Sequence, residues 1–205
     1  MSQHRFIEPD PGIASGRSGL PLPVSTTTRF RRESTSQGGR PRAGTGILSR
    51  SLIAHVRAEF QLDLNGIHGV AHWSRVRAHG LRLASRTQAD RRVVELFSFL
   101  HDARREHDGH DPQHGDRAAE LARELEGRWF NLDRLARRLL ETACRDHSDG
   151  FTRADVTVQT CWDADRLDLG RVGMRPDPTR LCTEAAREPG VIEDAYQRSR
   201  FHHEA

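Results

Sequence analysis

The sequence predicts an all-α protein, and three observations carry that reading. From residue 47 onward apolar residues recur at spacings of three and four, the period of a helix with one buried face. No stretch alternates apolar and polar residues convincingly enough to give a strand or a hairpin signal. The periodic stretches are also separated by residues that start or stop helices. Asp90 and Asn131 can cap amide groups at helix starts, while Gly127-Arg128, Gly150 and the Pro176/Pro178 pair mark breaks.

Seven helices are expected, over residues 49–60, 69–87, 90–103, 114–126, 131–147, 155–169 and 189–200. In the second, His72, Val76, Gly80 and Leu83 fall on one line along the helix. In the third, Val93, Phe97, Leu100 and His101 do the same, with Asp102 beside them at the C-terminal end. His114 opens the fourth, four residues before Ala118 and seven before Leu121. Leu139, Ala143 and His147 share a face of the fifth, and Val158, Cys161, Trp162 and Asp165 share a face of the sixth. The last, near the C-terminus, could pack on the domain or on a partner. No internal repeat is visible, which argues against a solenoid.

Composition divides the chain in two. At 205 residues it can bury a real core, yet only 35% of its residues are hydrophobic and mean hydropathy is −0.72. The missing apolar content is concentrated in residues 1–46, a mixture of Gly, Pro, Ser, Thr and Arg with no period, which is expected to be a disordered extension. The helical domain is expected over residues 47–205. Every basic side chain is arginine, and the first 50 residues hold eight of the 32, against three acids. The remaining 24 arginines face 26 acids, so the domain itself is nearly neutral and nucleic-acid binding by it is not expected. The first thirty residues lack the pattern of a secretory signal and no eighteen-residue apolar run occurs, so a soluble, non-exported protein is expected, and three cysteines without a CxxC pair fit reduced thiols in a cytoplasm.

Residues 99–115, FLHDARREHDGHDPQHG, hold four of the twelve histidines, where an even spread would place about one. Together with the stripes above, five helices each aim a metal-competent side chain at the interior. One buried histidine means little. Buried carboxylates such as Asp102 and Asp165 need a cationic partner, because an uncompensated buried ion costs several kcal/mol. A divalent ion would satisfy carboxylates and neutral imidazoles together, and mixed nitrogen and oxygen ligands suit Mn, Fe, Co, Ni or Zn.

HWSRV at 72–76, FLHD at 99–102, HG at 114–115, the later His147 and ADRLD at 164–168 resemble the motif succession of HD-domain metal-dependent phosphohydrolases. The resemblance covers roughly residues 66–170. It implies a compact HD-type helical bundle in which His72, His101, Asp102 and Asp165 bind a first ion. His114 and His147 match the two extra histidines of members that bind a second ion, with Asp102 bridging, so one or two divalent ions (Mn, Fe, Co, Ni, Mg or Zn) are expected. The implied activity is hydrolysis of a phosphomonoester or phosphodiester in a phosphorylated small molecule, a nucleotide foremost. The alternative is a metal- or nucleotide-binding regulatory module without turnover.

Asp102 is the expected catalytic centre, with Arg104 and Arg105 placed to neutralise substrate phosphate and Arg75 a further candidate. Other residues compete for roles. His68 and His72 in HGVAH have zinc-protease spacing, but Gly69 stands where that motif needs glutamate. His107, Asp108, His110 and Asp111 are expected in a solvated loop, and His202 and His203 at the surface. Asp163 and Asp168 flank Asp165, and only Asp165 holds the inward register and the family position.

Overall fold

A computed structural model describes residues 46–200, which lie within the unit Pro41–Ala205. The extension expected over residues 1–46 falls outside the described residues except for Gly46, as do His202 and His203. Among the described residues the structure is all helical, with no named strand and one isolated bridge between Glu126 and Phe130. The helices are α1 (Arg50–Glu59), α2 (Val70–Thr87), α3 (Arg91–Leu100), α4 (His114–Leu125), α5 (Arg134–Arg145), α6 (Val156–Arg166), α7 (Glu184–Arg187) and α8 (Pro189–Arg200). Two 3-10 turns, Leu169–Val172 and Pro178–Arg180, lie between α6 and α7. None of the described helices is long and apolar enough to cross a membrane.

The seven expected helices are all present, with differences at their ends that matter for the site. Asp90 caps α3, accepting from Arg92 N at 2.9 Å. Asn131 does not cap α5; that role belongs to Asp133, which accepts from Leu135 N and Ala136 N. The helix starts late because Glu126 holds the preceding segment, pairing with Phe130 and accepting from Leu132 N at 3.0 Å. Helices α3, α5 and α6 end three, two and three residues sooner than expected. His101, Asp102, His147 and Asp168 therefore lie on turns just beyond helix ends. The 3-10 turn Pro178–Arg180 and the one-turn α7 are too short to show a period.

The main core forms where α2 packs on α3 and α6, and where α5 packs on α3, α4 and α6. Trp73, Phe97, Leu100, Leu121, Leu140 and Trp162 are all essentially inaccessible there. Each such side chain contributes about 1.5–3 kcal/mol by leaving water. Two glycines permit close contacts between helices that bear on the site. A Cβ on Gly80 would lie 2.5 Å from Val94 Cγ1, between α2 and α3. A Cβ on Gly115 would lie 2.2 Å from the carbonyl oxygen of Arg145, so only glycine lets the start of α4 rest against the end of α5. A second, smaller core joins Leu83 and Leu167 to Leu181, Val191, Ile192 and Ala195, fixing the C-terminal segment onto α2 and the end of α6.

Candidate metal centre

Six of the expected site residues converge in one place. His72 comes from α2, His101 and Asp102 from the turn after α3, His114 from the first position of α4, His147 from the turn after α5, and Asp165 from the last turn of α6. All four histidines are buried, and Asp102 is 2% exposed.

Each histidine is oriented through its Nδ1. His101 Nδ1 lies 3.1 Å from the Phe97 carbonyl, His147 Nδ1 lies 2.7 Å from the Cys144 carbonyl, and His114 Nδ1 meets the carbonyl of Asp111. A carbonyl only accepts, so Nδ1 carries the hydrogen in these three rings, and in the neutral form Nε2 presents a lone pair. His72 Nδ1 is 2.7 Å from Asp168 Oδ2, which assigns the same tautomer.

The four Nε2 atoms then face one another. His72 and His101 approach to 3.0 Å through their Nε2 atoms, and His114 and His147 to 2.9 Å. Two lone pairs at that separation repel unless a cation stands with them. The carboxylate of Asp102 divides between the pairs. Its Oδ2 is 3.6 Å from Nε2 of both His72 and His101, and its Oδ1 is 3.7 Å from His114 Nε2 and 3.5 Å from His147 Nε2. Asp165 Oδ1 lies 3.4 Å from His72 Nε2 and 3.8 Å from His101 Nε2, and this buried oxygen has no hydrogen-bond partner among the described residues. Two triads, His72/His101/Asp102 and Asp102/His114/His147, each keep their ligand atoms within 4.8 Å of one another. Lone pairs without hydrogens, an orphaned carboxylate oxygen and mixed nitrogen and oxygen donors fit divalent metal ions.

The electrostatics keep most of these groups in ligand form. Burial lowers His101 to about 4, and burial followed by the Arg171 charge lowers His72 well below its usual value. His114 is lowered by burial and then by its neighbour His147. Burial alone would raise Asp102, but the charge of His101 and hydrogen bonds from His147 and His68 outweigh it and hold the carboxyl well below its usual range. Burial likewise opposes ionisation of Asp165, and Arg171 and the histidines overcome it. His147 runs the other way: burial disfavours its charge, yet its bond to Asp102 and that carboxylate's charge raise its pKa. Of this set it takes a proton most readily, one that metal binding would displace.

Around these ligands lie residues whose roles differ from those expected. His68, grouped above with a protease spacing, places Nδ1 2.7 Å from Asp102 Oδ2 and Nε2 3.2 Å from the Asp108 carbonyl. Because α2 begins at Val70, His68 and His72 do not share a helix face, and the i,i+4 spacing was no guide. Asp168 is not an outward neighbour of Asp165; it is inaccessible, accepts from His72, and is held by Arg75 Nε at 2.6 Å and Nη2 at 3.0 Å. The helical register fails there because α6 stops at Arg166. Arg75 is thus engaged with Asp168 and does not line the cavity described below. Asp163 is also inaccessible, accepting from Cys182 N at 2.6 Å, Thr183 N at 2.8 Å and Thr183 Oγ1 at 2.7 Å. The C-terminal segment packs over it, which no local pattern reveals.

The two arginines after the His-Asp pair separate. Arg105 reaches Asp102 Oδ1 at 3.3 Å and is braced by the carbonyls of His107 and Gly109. Arg104 is held by Glu124 and Glu59 and is not among the cavity-lining residues, which corrects its expected substrate role. In the following loop His107, Asp108 and His110 are exposed as expected, whereas Asp111 is buried against Arg117. Arg171, which the helical pattern did not single out, donates to the carbonyls of Ile67 and Asp168 and brings Nη2 to 3.8 Å from Asp165 Oδ1.

A cavity of about 590 Å³ opens over Asp102, His114, His147 and Asp165. Five arginines line it, Arg105, Arg166, Arg171, Arg175 and Arg180, and Leu169 and Met174 give it apolar surface. That size suits a small organic molecule, and that lining suits an anionic one.

Among solved structures, the chain is similar to a protein described as a predicted HD superfamily hydrolase from an uncultured Thermotogales bacterium. The TM-score is 0.57 and sequence identity is 30%, over 72% of this chain and 84% of that one. No family model matches the sequence, and no curated protein does.

Proposed function

This chain belongs to the HD superfamily, and from that premise we propose that it is a metal-dependent phosphohydrolase, cleaving a phosphomonoester or phosphodiester bond in a phosphorylated small molecule, a nucleotide foremost. One observation carries the reading: four imidazole Nε2 atoms and two carboxylates converge, and an arginine-lined cavity opens over Asp102, His114, His147 and Asp165 among them. His72, His101, Asp102 and Asp165 would hold a first ion, and Asp102, His114 and His147 a second. The nitrogen-rich set favours Mn, Fe, Co, Ni or Zn over Mg, which prefers oxygen ligands and water.

Divalent ions at such a site supply Lewis acidity that polarises a phosphoryl group and acidifies water. The protein's own residues prepare the place for it. The carbonyls of Phe97, Asp111 and Cys144 and the carboxylate of Asp168 fix each imidazole, so no ring must turn when the reaction begins. His68 and Arg105 hold the two oxygens of Asp102 from opposite partners. Arg105 and Arg171 flank the ligands and face charge that develops on phosphoryl oxygens.

The test is elemental analysis of protein purified anaerobically, followed by assays with Mn, Co and Ni. Substrates would be nucleotides, deoxynucleotides, alarmones and generic phosphomonoesters and diesters. Bound metal in a fixed ratio to protein and turnover of one class are expected. Tight nucleotide binding by calorimetry with silence under every metal would make the protein a regulatory binding module instead.

A further inference from the structure

The five arginines of the cavity are not equivalent. Three are committed: Arg105 to Asp102 and two loop carbonyls, Arg171 to the carbonyls of Ile67 and Asp168, and Arg175 to Glu193 at 2.6 Å. Arg166 differs. It is 9% exposed, its Nη1 donates to the Arg180 carbonyl at 2.8 Å, and its buried Nη2 has no hydrogen-bond partner among the described residues. The guanidinium also lies over the Trp162 ring, 5.7 Å from the centroid, a cation–π contact that adds to the hydrogen bond. A buried guanidinium with an unused donor is costly unless an acceptor arrives.

The carbonyl that holds Arg166 belongs to Arg180, so the two residues are neighbours on one wall. The Arg180 side chain is exposed, and its charge acts on the neighbouring Asp177 carboxyl without a hydrogen bond between the two side chains. The acid on this wall, Asp177, is occupied in accepting from Thr179 N and Oγ1, both at 2.8 Å. An oxyanion is the ligand that such a pair of donors recognises, since guanidinium groups offer parallel N–H bonds to phosphate or carboxylate oxygens.

We propose that Arg166 and Arg180 form a second oxyanion subsite, separate from the metal ligands, and that the substrate is a small molecule carrying two distinct anionic groups. The reactive phosphate lies at the metal ligands between Arg105 and Arg171, and the second phosphate or carboxylate lies against Arg166 and Arg180. The inference rests on the hydrolase reading for the first of these positions only.

Inorganic phosphate is the probe, titrated calorimetrically into the full chain as purified. The wild type is expected to take two phosphates per chain. Arg180→Gln and Arg166→Gln are each expected to weaken the second by about tenfold or more, with bound metal per chain unchanged by elemental analysis. Arg104→Gln, outside the cavity, is expected to behave as wild type. If phosphate binding in both cavity variants equals wild type, the subsite does not exist. One phosphate per chain in the wild type, lost in Arg180→Gln, would sustain the subsite while removing the metal-held phosphate and with it the hydrolase reading. Arg166 anchors backbone, so if that variant unfolds, the exposed Arg180 decides alone.

Discussion

His68 Nδ1 lies 2.7 Å from Asp102 Oδ2, the same oxygen that faces the Nε2 atoms of both His72 and His101. His68 thus acts through Asp102, as a positioning residue that fixes the carboxylate while its own Nε2 is fixed by the Asp108 carbonyl. Loss of such supporting partners lowers metal affinity by about 10- to 100-fold. His68→Ala is expected to lower metal affinity within that range, with helical content unchanged by circular dichroism. Wild-type affinity in a metal titration would show that Asp102 needs no such support.

The division of Asp102 between two histidine pairs predicts an asymmetry among ligand variants. Asp102→Ala should remove all bound metal, because both triads include it. His114→Gln and His147→Gln should each leave the ion of the first triad, and His72→Gln and His101→Gln that of the second. Elemental analysis of the five purified variants checks this. Equal loss in all five would mean that the ions do not bind as two groups.

The lowered histidines give the metal-stripped chain a definite acid sensitivity. His101 titrates near 6.5 when unfolded and at about 4 when folded, and His72 and His114 are lowered too. Between those values the unfolded chain binds more protons than the folded one, so stability present above about pH 6.5 is lost as pH falls toward 4. His147, raised when folded, opposes this but is one ring against three. Thermal melts of chelator-treated protein should show Tm falling over that window, and less so in His101→Gln. A flat profile would contradict the neutral state assigned to these rings.

Gly115 connects packing to chemistry. Its substitution by alanine places a Cβ 2.2 Å from the Arg145 carbonyl, forcing α4 away from α5. Overpacking of this kind typically costs about 1–3 kcal/mol. Because His114 precedes Gly115 and His147 follows Arg145 by two residues, the shift should separate the pair now 2.9 Å apart. Gly115→Ala is therefore expected to lower Tm and to lose one ion of the two. A variant that melts lower but keeps full metal content would separate the two effects.

Much of this was legible because helical stripes report burial. His72 with Val76 and Leu83 is buried as the spacing indicates, and Asp165, on the face of Cys161 and Trp162, turns toward His72 and His101. The order of His, His-Asp and distant Asp also pointed to the family. What the stripes missed lies where helices end. Asp168 lies beyond the end of α6, His68 precedes α2, and Arg171 sits in a 3-10 turn, so no period governs their direction. Arg104 and Arg105 were indistinguishable in sequence, since the turn after α3, rather than helical register, sends one to Glu124 and the other to Asp102. Asp163 was unreadable for another reason, because its partners at 182 and 183 are distant along the chain.

That contact with Asp163 has a practical bearing on residues 173–183. At one end Gly173, at φ +77, and Met174 bond back to the carbonyls of Gly170 and Leu169; at the other, Cys182 and Thr183 are fastened to Asp163, two positions before Asp165. The stretch between these anchors carries Met174, Arg175, Asp177 and Arg180, which line the cavity, while its Leu181 belongs to the second core and its Arg180 carbonyl holds Arg166. A graft that replaces the exposed side chains of this segment would therefore have to keep Leu181 and the Arg180 carbonyl where they are.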